Sequence, residues 1–192
     1  MSARLAVLRL AGRAVAATPA RRLLAGDLAR RMRLRAGRQV TEATARAVVD
    51  AIEAAGVPYC LMGGWGVDAL LGRQTRPHLD LDVVVDGSLP DLRARVSAAL
   101  AAAGFAPAGE ETSIPPLPTV WVYADGRGAI VDVLPGGLGA APFDGGRVTG
   151  QLAGRPVACV SAEVQRRLRA GYPHRGADRD DLAALSTLPP TP

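Results

Sequence analysis

GGWGVDALLGRQTRPHLDLDVVVD, residues 63–86, contains a glycine pair, a short helical pattern with a glycine stop, and an alternating strand. Over 79–85 the side chains alternate, so Leu79, Leu81, Val83 and Val85 face one way while Asp80 and Asp82 share the other face. Two carboxylates on one patch repel, which costs stability unless a cation or hydrogen-bond donors neutralise them, and this makes the pair a candidate metal site. Hard oxygen donors with no thiolate or histidine cluster beside them favour Mg²⁺ or Mn²⁺ over zinc. A third acid, Asp132, interrupts the apolar run AIVDVLP at 129–135. Burying a charge unpaired in a strand is expensive. If that strand lies beside 79–85, Asp132 completes a three-carboxylate site. Upstream, Gly63 and Gly64 stand between a strand and a helix, where backbone without a Cβ can approach phosphate oxygens and the helix N-terminus aims its free N–H groups at them.

The rest of the chain supplies a frame for this segment. Thr41 is placed to cap a helix running to about residue 55, with Val48, Val49 and Ile52 inward and Gly56 as its stop. A buried strand is predicted over 57–62 and a helix over 65–71 ended by Gly72, with Asp68 in its first turn compensating the helix dipole. Ser88 and Pro90 announce a helix over 91–103, which Gly104 stops. Segments 119–123 and 129–134 alternate around Asp125-Gly126 as a hairpin, and a glycine-rich pair fits 147–152 and 156–160. Ser161 and Asp178 are read as caps of two final helices, reaching Leu168 and Leu185. Asp178 and Asp181 have the spacing of a cap with an acid three residues on. Strands and helices mixed in this way, with hairpins late in the chain, predict an α+β domain over 41–192.

Composition removes several chemistries. The 192 residues include no lysine, so the 23 basic side chains are all arginine, which excludes a P-loop and any Schiff-base enzyme. His78, His174, Cys60 and Cys159 are too few and too scattered for a local zinc cluster. The cysteines sit in apolar runs and read as core residues of a reducing compartment, so a cytoplasmic protein is expected. Charge is uneven: residues 1–40 hold ten arginines against Asp27 alone, whereas 41–192 hold 13 arginines against 17 acids. The first 40 residues read as an Arg-rich helical extension, with Leu5, Leu8, Leu23, Leu24 and Leu28 in patchy helical spacing and a break near Pro19. Arginine interrupts every apolar run there, so no transmembrane segment is predicted. The mildly acidic domain suits a cationic ligand better than a nucleic acid.

Two other readings compete for residues 63–86. Gly64-Trp65-Gly66-Val67-Asp68-Ala69 fits a dinucleotide-binding G-x-G-x-x-A, with Asp86 at the end of the next strand. Against it, Gly72 cuts the helix short and no further βαβ units follow. Alternatively, Asp80 and Asp82 could lie on the solvated face of an edge strand and do no chemistry. Arg73 and Arg76, in the loop before the strand, suit phosphate oxygens, Arg73 better because Arg76 precedes Pro77; otherwise they are a surface pair. His78 shares the parity of the acids and reads as a hydrogen-bonding neighbour of the site. Trp65 fills core or stacks on a base.

The segment GGWGVDALLGRQTRPHLDLD resembles the active-site motif of the small antibiotic nucleotidyltransferases, the lincosamide nucleotidyltransferases and aminoglycoside 2''-adenylyltransferases of the polymerase β superfamily. RPVACVSAEVQRRLRAGYPHRGADRDDLAAL, residues 155–185, is similar to the end of that family's domain, and Tyr172, Arg175, Asp178 and Asp181 match positions that recur there. The resemblance implies a polymerase β-like nucleotidyltransferase fold, a mixed sheet with flanking helices. It also implies Mg²⁺-dependent transfer of a nucleoside monophosphate, AMP from ATP, from a nucleoside triphosphate to a small-molecule hydroxyl, with release of pyrophosphate. By the same resemblance Asp80, Asp82 and Asp132 hold metal, Asp132 is the general base or a further ligand, and Gly63 and Gly64 face the nucleotide; Arg73 and Arg76 join them by their place in the loop. An antibiotic acceptor follows from the family. Alternative readings are a toxin-like transferase acting on tRNA or protein, its basic arm holding the acidic partner, and a catalytically silent nucleotide-binding module, against which the retained acids argue.

Overall fold

The computed structural model describes residues 39–111, 119–138, 143–170, 174 and 176–189. The predicted helices of the Arg-rich extension, and Tyr172 and Arg175, lie outside the described residues.

In chain order the elements are α1 (Glu42–Ala54), β1 (Tyr59–Met62), α2 (Gly63–Leu71), β2 (Asp80–Asp86), α3 (Leu92–Ala102), β3 (Ala106–Glu111), β4 (Val120–Ala124), β5 (Ile130–Gly136), β6 (Arg147–Leu152), β7 (Arg155–Val160), α4 (Ala162–Arg169) and α5 (Gly176–Leu185). The cap chemistry is largely as predicted. The Thr41 hydroxyl accepts from the Thr44 N–H at 3.1 Å, and the Ser161 hydroxyl from the Val164 N–H. Gly72 closes α2 in the left-handed region at φ 67. One Asp125 carboxylate oxygen gathers the N–H groups of Arg127, Gly128 and Ala129, which fixes the β4–β5 hairpin.

The strands form one seven-stranded sheet in the order β3-β4-β5-β2-β1-β7-β6. It is mixed: β2 runs parallel to β5 and β1 parallel to β7, while β1–β2, β3–β4, β4–β5 and β6–β7 are antiparallel. Antiparallel pairing of β1 with β2 overturns the dinucleotide-binding reading, which needs parallel neighbours. The central place of β2 overturns the edge-strand reading. One face of the sheet packs Leu61, Leu81, Val83, Val85, Val131 and Val133 under α1 and α3, with Val48, Val49, Ile52, Val96 and Leu100 across the interface. The other face buries Cys60, Val84, Leu134 and Val160 against Phe143 and Val164 of α4. This second layer leaves the carboxylate end of β2 and β5 open, since Asp80 is exposed and Asp82 and Asp132 are half-buried.

Three local expectations are corrected. β1 begins at Tyr59 and not at Val57, because Pro58 has no N–H to donate to a ladder. β3 went unread: its six residues are all exposed, so no buried periodicity marks it. Helix α5 starts at Gly176, so Asp178 lies inside its first turn, buried, and is not its cap. Among the described residues no helix is long and apolar enough to cross a membrane.

Candidate active site

Period-two alternation on a central strand places the acids. In the parallel ladder Asp82 is the register partner of Asp132, and Asp80 that of Ile130, so the three carboxylates share one face at the N-terminal ends of β2 and β5. Asp132 is pushed up to about 7, first by burial and then by the charges of Asp80 and Glu111. Glu111, at the end of the unpredicted β3, pairs with Val120 on β4, and Val122 in turn pairs with Asp132, which puts Glu111 on the same face two strands away. Its signal in the sequence, an acid pair after a stretch of small residues, carries no periodicity to find it by.

A divalent cation is the group the sequence resemblance implies for such a face, and the chemistry of the oxygen donors suits one. The oxygens are hard, and Asp132 holds its proton into the neutral range first because it is buried and then because its charged neighbours are the acids Asp80 and Glu111. Among the described residues no three His, Cys, Asp or Glu side chains stand together in a group that could hold a metal ion. The match is in face, register and charge.

Helix α2 follows β1 without an intervening loop. Its first turn has no side-chain cap, so its leading N–H groups depend on another acceptor. Gly63 is left-handed at φ 62, and a Cβ there would collide with the Asp82 carboxylate. Gly64 faces inward as well: a Cβ on it would lie 2.6 Å from Arg76 Nη2 and would collide with the His78 ring. Both glycines therefore have an internal reason to lack side chains, on top of the predicted approach of phosphate. At the far side, Gly150 lets the Ala69 turn of α2 rest directly on β6.

Beneath α2 lies a polar cluster. His78, 1% exposed, contacts Asp68 through Nε2 at 2.5 Å and leans on Trp65 with ring centroids 4.7 Å apart. Asp68 also accepts from the Thr75 N–H at 3.1 Å and hydroxyl at 2.5 Å. It ties down the loop, and dipole compensation does not describe it, because the helix begins at Gly63 and Asp68 lies beyond its first turn. Trp65 is core, as predicted, with its indole N–H buried and unpartnered among the described residues. Arg73 is exposed. Arg76 is not a surface residue: it donates from Nε and Nη2 to the two oxygens of Asp181 at 2.8 and 3.0 Å. Asp181 also accepts from Arg169 Nη2 at 2.8 Å, so it is an internal anion and not a capping-box acid.

The fold and site have counterparts. A model of the aminoglycoside-2''-adenylyltransferase family matches residues 44–185. A lincosamide resistance protein from Staphylococcus haemolyticus is 26% identical over 163 residues, which is 78% of this chain and 96% of that protein. Of solved structures, the lincosamide antibiotic adenylyltransferase LnuA in its lincomycin-bound form superposes with a TM-score of 0.62 at 26% identity, covering 78% of this chain and 98% of its own. ANT(2'')-Ia in complex with adenylyl-2''-tobramycin shares the fold, with a TM-score of 0.58 at 23% identity over 74% of this chain and 85% of its own.

Proposed function

The chain belongs to the aminoglycoside-2''-adenylyltransferase family and is a nucleotidyltransferase, and from that premise we propose the reaction it performs. It moves AMP from ATP onto a hydroxyl of a small cationic antibiotic, a lincosamide or an aminoglycoside, and releases pyrophosphate. Asp80, Asp82 and Asp132 would hold Mg²⁺, or Mn²⁺ in its place, which would supply charge neutralisation on the triphosphate. The observation that supports this most is the register pairing of Asp82 with Asp132 on an open, acidic face of the central sheet.

The residues divide the work by position. Asp132, on the open face beside Asp80 and Asp82, accepts the proton of the attacking hydroxyl. The uncapped N–H groups of α2 and the exposed Arg73 are suited to the phosphate oxygens. Acids Glu111 and Asp80 give the acceptor side a negative potential that favours a cation. The buried free thiols of Cys60 and Cys159 support a reducing compartment, for which we propose the cytoplasm.

Pyrophosphate release from each nucleoside triphosphate with Mg²⁺, across lincosamides, aminoglycosides, sugars and bulk tRNA, tests the reading. Turnover with an antibiotic hydroxyl that disappears in Asp82→Asn is the expected result. Turnover with tRNA alone would favour the toxin-like alternative, whose basic arm lies outside the described residues. Tight nucleotide binding without turnover on any acceptor would favour a silent module.

A further inference from the structure

Resting on the transferase reading, we infer that Asp181 is a positioning residue for nucleotidyl transfer: with Arg169 behind it, it clamps Arg76, and through Arg76 sets the start of α2 against the strand that carries Asp80 and Asp82. The geometry is specific. Asp181 is 2% exposed and meets Arg76 in a two-point fork 105 residues away in sequence. Arg169 binds the same carboxylate, and its Nη1 is fixed in turn by Gln165 Oε1 at 2.6 Å. A planar guanidinium held at two points is fixed in orientation as well as in place.

The fork reaches the reacting face along two routes. Arg76 Nη2 lies where a Cβ of Gly64 would come within 2.6 Å, so the guanidinium is packed on the first turn of α2, whose N–H groups are the proposed phosphate donors. Arg76 also lies in the short connection between Gly72 and Asp80, where Thr75 and His78, on either side of it, tie the connection to Asp68. Helix α5 is thus joined through Arg76 to the glycine turn, which lies directly against the Asp82 carboxylate. Nothing in this arrangement requires Arg76 to touch phosphate, since its Nε and Nη2 are already bonded to Asp181.

Arg76→Lys, Asp181→Asn and the double variant test the clamp, with kinetics and hydrogen exchange read on the full chain. Each single change is expected to lower kcat about tenfold or more while the nucleotide KM moves less than about threefold, because a misplaced site loses rate before ground-state binding. The double variant should be no worse than Asp181→Asn alone, since the fork that Arg76→Lys disturbs is already lost there. Asp181→Glu, which retains the charge, should recover part of the rate. Exchange should quicken in 63–66 and 76–80 and stay unchanged in α3. A raised nucleotide KM in Arg76→Lys with normal kcat in Asp181→Asn would overturn the proposal and make Arg76 a phosphate ligand. A lower Tm with unchanged kcat would overturn it too, leaving a scaffold contact. If the wild-type chain turns over no acceptor, the transferase reading fails, and the exchange measurement alone decides the clamp: unchanged exchange at 63–66 overturns it.

Discussion

Asp132 and Asp181 are both carboxylates set into the body of the fold, and the chain treats them in opposite ways. Asp132 has acids for neighbours, and burial together with Asp80 and Glu111 pushes it up to about 7. At Asp181 burial also opposes the charge, but the hydrogen bonds and charges of Arg76 and Arg169 overcome it and hold the carboxyl below its ordinary range. The protein brings its own cations to the acid that organises the structure. It withholds them from the acid on the open face, which is therefore ready for a cation and a proton from outside. Structural and chemical carboxylates are told apart here by their neighbours, since burial acts on both alike.

The sharpest break in this comparison is removal of each charge. Asp132→Asn should cost about 10²–10⁴-fold in kcat through loss of the base and of one proposed ligand to the cation, with its fold retained. Asp181→Ala should cost stability as well as rate, about 3–5 kcal/mol by denaturant unfolding, because it strands two buried guanidinium groups. Equal effects of the two substitutions on folding would erase the distinction.

Proton linkage gives the same contrast a sign. Asp132 has a folded-state pKa above its unfolded value, so stability is fully present below about pH 4 and falls as pH rises towards about 7. In metal-free protein Asp132→Asn should therefore raise stability at pH 8, by about 2–4 kcal/mol, and the gain should shrink towards pH 4. Asp181 has a depressed pKa, so its contribution is present above the ordinary aspartate range and is lost as pH falls through the depressed value. Thermal melts of both variants across pH check the two directions. The smallest effect is at Glu111: Glu111→Gln removes one acidic neighbour of Asp132 and should move the acid limb of the kcat–pH profile down by about a few tenths of a pH unit.

How much of this could be read from residues alone depends on the range of the contact. The shared face of Asp80 and Asp82 follows from strand alternation, which needs no knowledge of the fold. Asp132 stands out as an acid in an apolar run, but its register with Asp82 depends on a parallel pairing between strands separated by α3, β3 and β4, so the sequence supports it only conditionally. Gly63 and Gly64 were legible as a close approach of backbone. That the approaching groups include Asp82, His78 and Arg76 required the packing. The Asp181–Arg76 fork was illegible because its partners are 105 residues apart and each has an ordinary local reading, a capping acid and a loop arginine. β3 was missed for a different reason, since an exposed edge strand has no apolar period to detect.

The central claim is that the face carrying Asp80, Asp82 and Asp132 performs cation-dependent nucleotidyl transfer. The most direct test is pyrophosphate release from ATP with lincomycin or tobramycin as acceptor, measured with and without Mg²⁺ in the wild-type chain and in Asp82→Asn. The account predicts turnover only in the wild type and only with the cation. Turnover that persists in Asp82→Asn, or that does not depend on the cation, would contradict it.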